Sequence, residues 1–283
     1  NRFHYLKMQV IKSLTQMLAL RHPQEARIGF VPTMGFLHEG HLSLVAESTK
    51  NCDITIVSIF VNPAQFGPNE DLESYPRDLD RDLALLEQNG VDYVFFPDPD
   101  MMYPKPYHTW VEVSDLSGIL CGASRPGHFR GVCTVVLKLV NIVKPHFMYM
   151  GEKDFQQLTI LTIMHRDLNL STRIIGCPII RESDGLAKSS RNVYLNSADR
   201  KIAVCLSQAL FKARSAVAAG FRDAAALIAT AKADITASGA KVDYVEIVSA
   251  TDLSKADIID EQSRMLIAVY VGKTRLIDNL QLL

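Results

Sequence analysis

The chain has almost no net charge, no cysteines at metal- or redox-motif spacing, and no apolar run long enough to cross a bilayer. Its 30 Lys and Arg face 31 Asp and Glu, a formal net charge of −1 over 283 residues. That balance removes any broad electrostatic drive toward nucleic acid or an anionic membrane, and leaves room only for a local basic site for a small anion. The five cysteines, at 52, 121, 133, 177 and 205, are odd in number, widely spaced and form no CxxC. The pattern argues against a disulfide framework and a cysteine-rich zinc site. It predicts buried thiols in a reducing, cytoplasmic compartment. The longest apolar run, residues 54–61, falls far short of the roughly 20 residues a spanning helix needs. Residues 1–10 lack the apolar core of a signal peptide, and with no initiating Met the true start is left open. There is no internal repeat and no low-complexity tract.

What is present is a chain 48% apolar, enough to bury a sizeable core without staples. Its length fits one large or two modest domains. β-Branched runs predict strands at 27–31, 53–60, 92–96, 146–150 and 172–176. Helical spacing falls between most of them, at about 40–50, 78–89, 132–143 and 155–167. Leu79, Leu83 and Leu86 mark the second of these helices, with Gly90 as its stop, and the third stops before Lys144-Pro145. Such alternation implies parallel pairing with helices on both faces. Beyond about residue 183 the texture changes. A helix capped by Ser197, with an apolar face from Ile202 to Val217, ends at Gly220. An Ala-rich helix follows, then strands at 242–248, 265–271 and 274–277. The expectation is a Rossmann-like, doubly wound parallel α/β domain over 1–180 and a smaller C-terminal α+β domain over 181–283.

Residues 31–35, Val-Pro-Thr-Met-Gly, follow the first expected strand, and Phe36-Leu37-His38-Glu39-Gly40-His41 leads into a helix. Ligands bind at the carboxyl ends of strands in open parallel sheets. Gly35 and Gly40 permit close backbone approach, and the opening N–H groups of the helix attract anions. His38 and His41, three apart, can face one side of the first turn and hydrogen-bond phosphate oxygens. Two solvated loop histidines, or two metal ligands lacking an evident third, satisfy the same spacing. The stretch is not HExxH, because Leu42 follows His41. Gly272-Lys273-Thr274 ends like a P-loop, but Ile267 holds the place of the required glycine, and no GxSxG elbow occurs.

His-x-Gly-His after a first Rossmann-type strand resembles the signature of the nucleotidyltransferases and class I aminoacyl-tRNA synthetases. A wider set of ordered motifs resembles the pantoate–β-alanine ligase (pantothenate synthetase) family. These are Pro32-Thr33-Met34-Gly35 with Leu37 to His41, Ser58 to Phe66, Tyr75-Pro76-Arg77, Arg125 to Val132, Gly151 to Leu158, Ser189-Ser190-Arg191-Asn192, and Arg275-Leu276-Ile277-Asp278-Asn279.

The resemblance implies an enzyme that joins pantoate to β-alanine using ATP, through a pantoyl adenylate, with Mg²⁺ as cofactor and a homodimeric, cytoplasmic state. It implies an ATP site made of Pro32, Thr33, Met34, Gly35, His38, Gly40, His41, Gly151, Glu152, Lys153, Asp154, Ile180, Lys188, Ser189, Ser190 and Arg191. His41, His38 and Lys153 become the catalytic candidates. Met34, Gln65, Gln157, Arg125 and His128 become the pantoate and β-alanine contacts, an amide being both donor and acceptor. Asp82 becomes the acid near a Mg²⁺–phosphate site, where a helix-surface aspartate is the plainer reading. Lys188 departs from the family pattern, which has Met or Leu there. Another ligase or nucleotidyltransferase of the same superfamily, a metal-dependent hydrolase using His38 and His41, and a nucleotide sensor are the competing readings.

Overall fold

A computed structural model describes residues 8–68 and 70–283. Of the 1–10 stretch read for a leader, residues 1–7 lie outside the described residues. No helix among the described residues is long and apolar enough to cross a membrane. Contacts divide the chain into two compact units, one of Asn1–Glu152 with Ile160–Pro178, the other of Lys153–Thr159 with Ile179–Leu283.

The first unit is a six-stranded sheet in which every pairing is parallel. Its strands are β1 (Gln9–Ile11), β2 (Ile28–Thr33), β3 (Ile54–Ile59), β4 (Tyr93–Phe95), β5 (Phe147–Gly151) and β6 (Arg173–Cys177), in the order β1-β4-β3-β2-β5-β6. All six residues of β3 are buried, as a central strand covered on both faces requires. Each such Ile or Val contributes about 1.5–3 kcal/mol by leaving water. The edge strand β1 was missed in the sequence, because three residues carry no readable period. Chain direction along the sheet reverses between β2 and β5. That is the switch point where ligands bind outside the carboxyl ends of the strands.

The flanking helices obey their caps. In the Leu79–Gln88 helix, Asp78 accepts from the Arg81 N–H and Gly90 follows with φ of 71°. The His128–Val143 helix starts four residues earlier than its apolar spacing suggests and ends at Lys144, before the proline.

The second unit packs helices on a three-stranded antiparallel sheet of β7 (Lys241–Ser249), β8 (Ser263–Val271) and β9 (Thr274–Gln281), order β7-β8-β9. Its core includes Leu206, Leu210, Val217, Leu227, Ile235, Val245 and Ile267. Two expectations are corrected here. Asn196, not Ser197, caps the helix Ser197–Ala203, its side chain accepting from Ala198 and Asp199 N–H groups, and the helix breaks at Val204 before resuming as Cys205–Ala218. β9 also runs four residues past Ile277, because the polar Asp278 and Asn279 that interrupt the apolar pattern are buried and paired. All five cysteines are free and buried.

Candidate active site

In the first unit the chain leaves β2 at Thr33, directly at the switch point. Thr33 Oγ1 donates to the Ser58 carbonyl at 2.8 Å and accepts from the Gly35 N–H at 3.2 Å, folding the chain back on itself. Gly35 then takes φ of 81°, and a Cβ there would stand 3.0 Å from both Asp82 Oδ2 and Ile59 Cγ2. Phe36 follows at φ of 50°, a costly left-handed conformation for a large side chain. Asp82 holds it in place. Its Oδ2 accepts from the Phe36 N–H at 2.6 Å and its Oδ1 from the Leu37 N–H at 2.7 Å. The Arg81 guanidinium lies 5.4 Å over the Phe36 ring.

This corrects the reading of Asp82. It is not the helix-surface residue of the plainer reading. At 1% exposure it faces inward one turn from Leu86, and both of its oxygens are engaged by loop amides. Burial pushes its carboxyl up, against the two amide bonds and the charge of Arg81.

His38 and His41 lock each other at the start of the Glu39–Asn51 helix. The Gly40 N–H donates to His38 Nδ1 at 3.1 Å, and the His38 N–H donates to His41 Nδ1 at 3.3 Å, a reciprocal capping box built from two imidazoles. The ring centroids are 4.0 Å apart. Because Nδ1 accepts in each ring, the proton of each neutral imidazole sits on Nε2. The result is a pair of N–H donors of defined tautomer at a helix N-terminus. Gly40 supplies the backbone donor that sets the first of them.

Gln65 sits in the short 3₁₀ turn Pro63–Gln65 after β3. Tyr103 Oη donates to Asn62 Oδ1 at 2.8 Å, Asn62 Nδ2 donates to Gln65 Oε1 at 3.0 Å, and Gln65 Nε2 donates to the Met34 sulfur at 3.3 Å. The chain of bonds fixes which end of the Gln65 amide is the donor. It also joins Gln65 to Met34, as a shared pocket would need.

Arg125 and His128 meet beside Gln65. Arg125 forms a two-pronged pair with Glu70, at 2.7 and 2.6 Å, and donates to the Gln65 carbonyl at 3.3 Å. His128 Nδ1 donates to the same carbonyl at 2.8 Å, so its Nε2 is the acceptor for Arg125 Nη1 at 3.2 Å. Their polar groups grip the backbone of Gln65. Burial would raise the Glu70 carboxyl, but the hydrogen bonds and charge of Arg125 outweigh it and hold the group below its ordinary range.

Gly151 ends β5, on the other side of the switch point, and Glu152 follows it. Lys153 and Asp154 complete the 3₁₀ turn Glu152–Asp154 that feeds the Phe155–Asp167 helix, with Gln157 on its first turn. The second unit holds Lys153, Asp154 and Gln157 together with the 180–191 segment. There the Lys188 N–H donates to the Ile180 carbonyl at 2.9 Å, so Ile180 has its carbonyl engaged within the turn. Ser189 caps the 3₁₀ turn Ser190–Tyr194, its Oγ accepting from the Arg191 N–H. Asn192 steadies the turn by donating to Glu182 Oε1 and the Ala187 carbonyl. The charge of Lys188, at the position where the family pattern has Met or Leu, also helps to hold the Glu182 carboxyl down.

Sequence reasoning assigned no role to Asn62, Tyr103, Glu70 or Gly131. Asn62-Pro63 is a legible cap signal, but nothing local says that Tyr103 and Gly131 meet it.

The family model described as pantoate-beta-alanine ligase matches residues 7–281. A pantothenate synthetase of Thermosipho africanus is 52% identical over 276 residues, 96% of this chain and 99% of that protein. The crystal structure of pantothenate synthetase from Thermus thermophilus superposes with a TM-score of 0.93 at 42% identity, covering 97% of this chain and 99% of that one. Pantoate-beta-alanine ligase from Francisella tularensis, crystallised with beta-gamma ATP and beta-alanine, superposes at 0.83 with 37% identity, covering 97% and 98%.

Proposed function

The chain belongs to the pantoate–β-alanine ligase family, and from that membership we propose that it condenses pantoate with β-alanine, converting ATP to AMP and diphosphate through a pantoyl adenylate. A carboxylate is a poor acyl donor, because its leaving group would be oxide. In the first step a pantoate carboxylate oxygen bonds to the α-phosphorus of ATP, and the bond to the bridging oxygen of the diphosphate breaks. In the second, the β-alanine amine attacks the acyl carbon, loses a proton, and AMP departs with the C–O bonding pair.

The observation that carries this reading is the histidine pair in the loop after β2. Two Nε2–H donors of fixed tautomer at a helix N-terminus suit the charge that develops on the phosphate oxygens in nucleotidyl transfer. His41 donates its Nε2–H as a hydrogen bond to the departing diphosphate, and His38 supports the same charge. Gln65 keeps a second amide N–H beyond the one given to the weakly accepting Met34 sulfur, and that donor suits the pantoate carboxylate or hydroxyls. Gln157 serves the same substrate. Arg125 and His128 act indirectly, by clamping the Gln65 carbonyl.

Lys153 and the Lys188, Ser189, Ser190 and Arg191 segment supply cations and hydroxyls to the triphosphate. The Met34 to His41 backbone, Gly151, Glu152, Asp154 and the Ile180 backbone complete the nucleotide contacts. Magnesium would enter with the phosphates of ATP. Asp82 braces the loop through one lone pair on each oxygen and would meet the ion, directly or through water, with the remaining ones.

A homodimer and a cytoplasmic location complete the proposal. The first follows family habit and is checked by solution mass. The second fits five free, buried thiols. The enzyme assay is AMP formation that depends on both pantoate and β-alanine. Transfer of AMP to another acceptor without pantoate would overturn the reading.

A further inference from the structure

β9 carries two buried polar side chains at adjacent positions, Asp278 and Asn279, each 2% exposed. Such burial is costly unless the polar atoms are matched, and these two are matched by different segments. Adjacent residues of a strand project to opposite faces, so one peptide unit of β9 reaches both.

Asp278 receives a two-pronged ion pair from Arg181, at 2.6 and 3.0 Å. Arg181 Nη1 also donates to the Gly185 carbonyl at 3.0 Å, and Arg181 bridges to Ala187 just before the Lys188–Ile180 backbone bond. Asp278 therefore anchors the base of the turn that delivers 188–191. Asn279 serves the other segment. Its Nδ2 donates to the Lys153 carbonyl at 2.9 Å, and its Oδ1 accepts from Arg264 Nη1 at 2.7 Å. The Arg264 guanidinium lies 4.0 Å over the Phe155 ring. Lys153 and Phe155, on either side of Asp154, are thus held by one Asn279–Arg264 staple. The Asn279 N–H closes the pair by donating to Asp278 Oδ1 at 2.8 Å.

We propose that Asp278 and Asn279 are a positioning pair that sets Lys153 and the 188–191 segment in one fixed register for the phosphates of ATP. The proposal rests on the reading that those cations meet the triphosphate. A pair that served only to fill the core would support both half-reactions alike. A register device matters while the triphosphate is present and ceases to matter once diphosphate has left.

The test is Asn279→Asp, which keeps an acceptor for Arg264 and removes the donor to the Lys153 carbonyl. Single-turnover formation of the adenylate from pantoate and ATP should slow about tenfold, the worth of roughly one hydrogen bond. Aminolysis of synthetic pantoyl adenylate by β-alanine should keep its wild-type rate. In a Lys153→Ala background the Asn279→Asp change should add little, because the group it aims is gone. Wild-type adenylation by Asn279→Asp, equal loss in both half-reactions, or an undiminished effect in the Lys153→Ala background would each overturn the proposal. Full-rate adenylation by Lys153→Ala alone would overturn the reading beneath it. Should Asn279→Asp fail to fold, Arg264→Met replaces it. That variant keeps packing on Phe155, frees Asn279 Oδ1, and should slow adenylation alone. Equal slowing of both steps would again overturn the pair.

Discussion

Gly131→Ala probes the placement of Gln65 without touching any group assigned to the chemistry. Gly131 lies in the first turn of the His128–Val143 helix, and its carbonyl accepts from Asn62 Nδ2 at 3.2 Å. An added Cβ would stand 2.2 Å from the Ala64 oxygen, 2.5 Å from its carbonyl carbon and 2.7 Å from the Gln65 nitrogen. These neighbours are backbone and cannot rotate aside. Restoring an ordinary C···O contact of about 3.3 Å requires the turn to retreat by roughly 1 Å. Two effects oppose each other in the stability. Alanine gains up to about 1 kcal/mol over glycine in a helix, while overpacking costs about 1–3 kcal/mol. The net is a loss of about 1 kcal/mol, a fall in Tm of a few degrees.

The kinetic effect is larger, because Gln65 moves with the turn and a 1 Å misplacement can cost on the order of a hundredfold. Steady-state AMP release should show kcat/KM for pantoate down about 10- to 100-fold, with the KM for ATP little changed. An alanine variant with wild-type pantoate kinetics and an unchanged melt would refute the argument, since it would mean that the turn yields without displacing Gln65.

His41→Ala should still bind ATP while adenylate formation collapses, as read by equilibrium titration beside single-turnover chemistry. Unchanged turnover would remove His41 from the donor role. Asp82→Asn leaves one acceptor oxygen for two loop amides, so urea unfolding should show a loss of about 1–3 kcal/mol, with weaker use of ATP. Because burial raises the Asp82 carboxyl, the wild-type adenylation rate should fall on the acid side at a pH above the ordinary aspartate value of about 3.9. A raised folded value means that protonation favours the fold, so this loss should come without unfolding through Asp82, and a coincident melt would contradict it. Glu70, held below its ordinary value, stabilises the fold above about pH 4.3 and loses that contribution as pH falls through its depressed value. Thermal melts of Glu70→Gln against wild type should therefore differ at neutral pH and converge in acid. A constant gap across that range would count against the Arg125 pair.

The parallel alternation was legible because buried strands and amphipathic helices write their periods locally. Strands β2 to β6 lie within about a residue or two of their apolar runs. Short β1 and the break at Val204 were not legible, since three residues have no period and a helix dihedral change leaves no mark in composition. The Met34 to His41 loop was visible as a strand followed by glycines and a helix start. The tautomers of its histidines were not, because they depend on which backbone N–H each ring accepts.

The sequence by itself determined the family, the order of its motifs and the kinds of side chain available to the chemistry, since these are properties of residue identity and spacing. Only the tertiary structure decided what several of them do. Asp82 reaches Phe36 across 46 positions, Arg125 reaches Glu70 across 55, and Asn279 reaches Lys153 across 126. Those partners meet because burial of the surrounding chain forces polar groups to find one another. That requirement made Asp82 a loop brace, Arg125 and His128 a clamp on Gln65, and the polar step at 278–279 an anchor for both cationic segments.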